Sequence, residues 1–174
     1  IPPGPSRRSG AVSRRRLRMA EIAFRPLEDD DLPLVDEWLR KDRVRRWFEK
    51  PEDWLGEIRN RRGEYSFLHH FIAVLGATPV GFCQYYACAD VREACFQGVP
   101  RAGTYSIDYL IGEEEFLGMR LGEAMVRALV EMVFRIPAAE RVVALPDPEN
   151  HLSCRTLLGA AFHFDPGSGV YVLE

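Results

Sequence analysis

The chain has 174 residues, 23 basic and 26 acidic side chains, a net charge of −3, and a hydrophobic fraction of 47%. That composition suits one globular domain whose core needs neither disulfides nor metal, and no run of 18 apolar residues offers a membrane span. The charge averages two unlike pieces: residues 1–18 carry six arginines and no acid, which leaves 17 basic against 26 acidic residues beyond them, a balance of −9. So acidic a body does not suit a polyanion such as nucleic acid; it does suit a cationic ligand.

Residues 1–18 hold Pro, Gly, Ser and Arg without an apolar stretch, so they are not a secretory signal. They read as a disordered basic tail of vector or upstream origin, with the native protein starting near Met19 and residues 19–174 forming one domain. Ile22–Phe24 then reads as a short strand that ends at Pro26. In EDDDLPLVDEWL the acids favour a helix start, Pro33 fixes that start near Asp30 or Asp31, and Leu32, Val35, Trp38 and Leu39 share one face. A second helical region is expected through Val44–Phe48 and Trp54–Arg62, with Trp47 and Trp54 on it.

SFLHHFIAVL and PVGFCQYYAC, parted by Gly76-Ala77-Thr78-Pro79, read as an antiparallel hairpin. TYSIDYLIG is another strand. The glycine-bearing stretch EEEFLGMRLGEAM leads into a helix whose apolar positions run from Leu121 to Val133 and which ends before Pro137. RVVAL is a buried strand, His151–Ala160 a short helix, and AFHF and VYVL the closing strands. The order is βαα-ββ-β-α-β-α-ββ. The four cysteines, Cys83, Cys88, Cys95 and Cys154, form no C-x-x-C pair and have no histidine at zinc-ligand spacing. They read as reduced thiols in small core spaces, with no metal.

Chemistry points to the junction of strand, glycine loop and helix at Tyr105–Gly122. A helix start offers free backbone N–H groups and a positive dipole end, which suit a phosphate. The spacing fits neither a G-K-[ST] phosphate loop nor a G-x-G-x-x-G dinucleotide turn. Asp108, set between Ile107 and Tyr109 in a strand, is the leading catalytic candidate, because a carboxylate is out of keeping with those neighbours. His69 and His70 are adjacent in a strand and face opposite ways, so at most one can enter a pocket, and a structural role is the expectation. Glu113–Glu115 reads as a solvated loop.

The layout resembles the GCN5-related N-acetyltransferase superfamily, whose members bind acetyl-CoA with a loop written roughly Q/R-x-x-G-x-G/A before a long helix. Here that stretch is Leu117-Gly118-Met119-Arg120-Leu121-Gly122: the last glycine is in place, while Leu117 and Arg120 depart from the pattern. FRPLEDDDLPLVDEWL, RWF, PVGFCQYY, YSIDYLIG and DPENHLSCRTLLGAAF resemble the aminoglycoside 6'-N-acetyltransferase-like branch over residues 21–174.

The resemblance implies an α/β fold with a mixed, mostly antiparallel central sheet, flanked by helices and splayed where acetyl-CoA enters. It implies that Asp108 positions and deprotonates the amine, and that backbone N–H groups around Leu110 and Ile111 hold the thioester carbonyl. The loop residues 117–122, Glu123, Asn150 and Cys154 would bind acetyl-CoA, although Asn150 reads equally as a helix cap. Trp47, Gln84 and Tyr86 would line the acceptor pocket beside Asp108, with Trp47 equally readable as core. The tyrosine that many members place in the last helix is replaced by Leu157. The implied activity is direct acetyl transfer to a small cationic amine, an aminoglycoside 6'-amine or a siderophore-, lysine- or polyamine-type amine, in the cytoplasm, by a monomer or homodimer. The degenerate loop and missing tyrosine also admit a catalytically silent CoA-binding module.

Overall fold

The computed structural model describes residues 21–91 and 96–174; the arginine-rich stretch 1–18, Met19 and Cys95 lie outside the described residues. Among the described residues, seven strands form one sheet in the order β1-β2-β3-β4-β5-β7-β6. The strands are β1 (Ile22–Pro26), β2 (His69–Leu75), β3 (Thr78–Ala87), β4 (Thr104–Ile111), β5 (Arg141–Ala144), β6 (His163–Asp165) and β7 (Val170–Leu173). β4 and β5 pair parallel, and every other neighbouring pair is antiparallel.

One face is covered by α1 (Leu32–Arg40), α2 (Asp42–Arg45) and α3 (Pro51–Arg59). Val35, Trp38, Leu39, Val44, Leu55 and Ile58 from these helices pack on Ile72, Phe82 and Leu110 of the sheet. The other face carries α4 (Leu121–Phe134) and α5 (His151–Gly159), whose Met125, Leu129, Val133 and Leu157 pack on Cys83, Ile107 and Val142. α1 starts as expected: Glu28 N–H donates to the Asp31 carboxylate at 2.9 Å, and Asp31 also takes two Arg25 bonds at 2.6 Å. The second helical region differs from its expectation. It is two helices, Asp42–Arg45 and Pro51–Arg59, parted by residues 46–50; Lys50, which precedes Pro51 and is therefore disfavoured in a helix, is left-handed at φ 52°.

Two features of β4 position the site. It pairs with β5 only over Thr104–Ser106 against Arg141–Val143, so the two strands part beyond Ser106. The antiparallel register of β2, β3 and β4 then aligns His70 with Gln84 and Asp108 in one cross-sheet row, and Phe71 with Cys83 and Tyr109 in the next. Neighbouring rows point to opposite faces, so Asp108 lies under α1–α3 and Tyr109 on the side of α4 and α5.

Candidate active site

The far end of β4 is clamped from the helices above it. Arg43 of α2 donates to the carbonyls of Ile111 and Gly112 at 2.7 and 2.6 Å, and Lys41 reaches Gly112 O at 3.0 Å. Gly112 lies so close to Trp38 that a Cβ there would stand 2.2 Å from the indole. The acidic run after it is not wholly solvated, as its sequence suggested. Glu113 accepts from the Trp38 indole N–H at 2.7 Å and from Lys41 at 3.1 Å, and those bonds, Trp38 first, hold its carboxyl below the usual range. Glu114 and Glu115 are exposed.

Behind this clamp lies the polar row. Gln84 is buried and donates its amide N–H to Asp108 Oδ2 at 2.9 Å, while its own Oε1 has no partner among the described residues. Burial raises the Asp108 carboxyl above the ordinary aspartate range, and the Gln84 bond opposes the rise. Glu57 of α3 sits within the field of Asp108: its carboxyl is raised by burial first, then by the charges of Asp108 and Asp53. His70 is 6% exposed, stacks near Phe82, and has neither ring nitrogen bonded among the described residues. Burial, then the positive charge of Arg61, pushes its pKa down to about 4, so it is neutral near pH 7. His69 is exposed and stacked on Tyr85, so the pair divides between the two faces as the alternation required. Tyr86 shares the face of Asp108 opposite Ser106.

Where β4 leaves β5, a cleft of about 620 Å³ opens between β4, the loop before α4, and α5. Trp47 and Phe48 form part of its wall, with Leu110, Ile111, Leu117, Gly118, Arg120 and the first turn of α4 (Leu121, Gly122, Glu123). The Gly112 N–H donates to Val80 O at 2.8 Å, so by two-residue alternation Leu110 and Asp108 aim their backbone groups at β3, whereas Ile111 and Tyr109 aim theirs at the side β5 has left. Among the described residues no side chain caps α4, whose leading amides open on the cleft with the positive end of the helix dipole, an arrangement fit for a phosphate-bearing ligand.

α5 supplies the opposite wall with Asn150, Ser153 and Thr156. Asn150 is at once wall and helix cap, its Oδ1 accepting from Ser153 N–H at 3.1 Å. Met119 and Cys154 are not part of the wall; Met119 packs on the core, and the Cys154 thiol lies 3.9 Å from Asp147 O. Gln84, Tyr86 and Asp108 do not line the cleft either, although Val44, Phe48 and Leu110 of their own face do.

Residues 28–167 match the acetyltransferase (GNAT) domain family. The chain belongs to that family. The GNAT chain is 26% identical over 147 residues, covering 81% of itself and 73% of the relative, to aminoglycoside N(6')-acetyltransferase type 1 of Klebsiella pneumoniae and, to the same extent, of Serratia marcescens. In structure it is similar to aminoglycoside acetyltransferase AAC(6')-Ib solved with coenzyme A and kanamycin, at a TM-score of 0.74 and 24% identity over 88% of this chain and 94% of that one. A Bacillus halodurans protein solved at 1.55 Å has a TM-score of 0.76 at 18% identity, covering 88% of this chain and 83% of that one.

Within this GNAT fold the departures from the loop pattern acquire a geometry. Gly118 has φ 76° and Arg120 φ 57°, so the position where the pattern writes a glycine is left-handed and this chain forces an arginine into it. The Arg120 side chain is 83% exposed and pairs outward with Glu123 at 3.1 Å, and Arg127 reaches the same carboxylate at 3.2 Å. Leu157 is fully buried in the core. Sequence reading missed Glu57, Tyr109 and Ser153. The i, i+4 spacing of Asp53 and Glu57 was a signal for the first. Alternation beside Asp108 was a signal for Tyr109, which donates to or accepts from Ser153 Oγ at 2.8 Å.

Proposed function

We propose that the protein acetylates a primary amine of a small polycationic acceptor, an aminoglycoside 6'-amine, using acetyl-CoA and joining both substrates in one complex. The observation that carries this reading is the 26% identity to aminoglycoside N(6')-acetyltransferases over 81% of the chain. The acidic body, with Asp53, Glu57 and Asp108 on one face, supports a cationic acceptor. We place the reaction in the cytoplasm because that is where acetyl-CoA is supplied; among the described residues no helix is long and apolar enough to cross a membrane.

In this reading Asp108 receives the ammonium under α3 and takes a proton from it. An alkyl ammonium has a pKa of about 10, so a base is needed at neutral pH, and a carboxyl raised by burial is a better one than an exposed aspartate. Gln84 fixes the carboxylate's orientation through its amide N–H. The Ile111 backbone N–H, aimed at the gap between β4 and β5, binds the thioester carbonyl and the charge that develops there. Gly118, Arg120 and the first turn of α4 hold the pyrophosphate, and Trp47 bounds the cleft on the acceptor side. Acetyl-CoA supplies the acyl group as a reactive thioester. The test is thiol release from acetyl-CoA with kanamycin-type, polyamine and hydroxylysine-type amines. Turnover at least tenfold better with the kanamycin-type amine is expected; preference for a hydroxylysine-type or polyamine substrate would replace the aminoglycoside in this reading.

A further inference from the structure

An acyl transfer from a thioester must also accommodate the sulfur that leaves, and the helix position where a donor is often sought is occupied by the buried, apolar Leu157. The cleft wall presents three hydroxyls, those of Tyr109, Ser153 and Thr156. Thr156 gives its hydrogen to Leu152 O at 2.8 Å, the carbonyl one helical turn back. Tyr109 and Ser153 have two hydroxyl hydrogens between them and one short mutual bond of 2.8 Å, which uses one. Among the described residues the remaining hydrogen has only the Ser153 carbonyl within reach, at 3.4 Å from the phenol oxygen, a long distance for an O–H donor. One donor hydrogen is therefore left for a ligand in the cleft.

We propose that Tyr109 is a catalytic residue: Ser153 O–H donates to the phenol oxygen, and the phenol O–H donates to the departing thiol sulfur. The proposal rests on the acetyl-CoA reading above. Tyr109 stands next to Asp108 on β4 and faces the other way, at the place where β4 has lost its β5 partner. One strand thus offers a carboxylate to the amine on one side and a phenol to the sulfur on the other. As the C–N bond forms the C–S bond breaks, and its electron pair goes to sulfur. The nitrogen sheds two protons in all, toward Asp108 and solvent; the thiolate takes up one after it departs, and the other is released. The phenol keeps its own proton. Burial pushes Tyr109 up to about 12, with the Ser153 bond opposing and Cys154 of α5 the other titratable group facing it. A CoA thiol titrates at about 8.5, so the hydrogen stays on oxygen and the interaction is a hydrogen bond to an anion.

The test is the ionisation of the thiol of bound CoA, read from thiolate absorbance, with desulfo-CoA as the blank for the protein's own tyrosines and cysteines. In the unaltered protein the bound thiol should ionise about tenfold more readily than free CoA. Tyr109→Phe should return it to within twofold of free CoA and lower kcat about tenfold, with the KM for acetyl-CoA changed less than threefold. Ser153→Ala, which keeps the phenol, should give an intermediate loss of about threefold. Equal thiol ionisation in Tyr109→Phe and the parent overturns the proposal, as does complete loss in Ser153→Ala with Tyr109→Phe unaffected. Failure of every amine to turn over, with the thiol titration as expected, removes the acceptor reading and leaves the Tyr109 contact standing. Absence of calorimetric CoA binding in the parent removes both.

Discussion

The two sides of β4 are made of opposite materials. Toward α1–α3 the strand shows the half-buried Asp108, backed by the buried Gln84 and His70, a polar row in which both His70 ring nitrogens and Gln84 Oε1 are left unbonded among the described residues. Toward α4 and α5 it shows Tyr105, Ile107, Tyr109 and Ile111, and the Tyr109 hydroxyl is bonded to Ser153. The first side accepts a cost in stability to keep a raised carboxyl; the second is ordinary core whose polar side-chain atoms are tyrosine hydroxyls. The lesson is that one extended strand separates two chemical tasks by alternation alone, with no loop needed between them.

The largest effect expected on the polar side is on acid stability. His70 has a folded pKa of about 4 against about 6.5 in the unfolded chain, so the unfolded state binds more protons between those values. The contribution is fully present above pH 6.5 and is lost as pH falls to 4, a loss of about 3 kcal/mol, measurable as the drop in urea midpoint. His70→Gln should flatten that drop; an unchanged pH slope would break the picture of a neutral buried imidazole. Asp108→Asn should lower kcat about 100-fold while leaving CoA binding unchanged, because Asp108 is not part of the cleft wall. It should also remove an acid limb of the kcat profile that lies above the ordinary aspartate range, as the raised carboxyl requires.

Gly112→Ala drives a Cβ to 2.2 Å from the Trp38 ring, which is fully buried, so a loss of about 2 kcal/mol is expected in thermal or urea unfolding. Arg120→Gly lies on the cleft side and has the opposite sign: relief of a left-handed arginine at φ 57° should stabilise the protein by about 1 kcal/mol. No gain there would mean that the ion pair with Glu123 offsets the strain.

Much of this was legible in the chain. Period and punctuation marked β1, the β2–β3 hairpin, β4, α4 and the closing strands, because Pro26, Gly76-Ala77 and Pro137 act locally. The Q/R-x-x-G-x-G/A-like stretch located the loop that borders the cleft. What sequence could not give depended on register. Gln84 and Asp108 are 24 residues apart, and their bond exists only because the strands pair at that offset. Whether Arg120 turned inward was likewise undecided by its neighbours, since a left-handed residue reverses the direction of the chain it heads. Glu113 looked like one of three equivalent acids; only the arrival of Trp38 and Lys41 from α1 and its end distinguishes it.

The parting of β4 from β5 after Ser106 has a consequence for the life of the unliganded protein. A sheet interrupted in its middle leaves backbone groups facing the gap; Arg43 meets the Ile111 carbonyl, and a molecule that bonds the others completes the sheet as a missing strand would. Substrate then becomes a structural component. At one hundred times its dissociation constant, such a ligand adds about 2.7 kcal/mol to folding stability. The amount of folded protein in a cell would follow its supply of acyl donor, tying persistence to metabolic state through the same opening that admits the reaction.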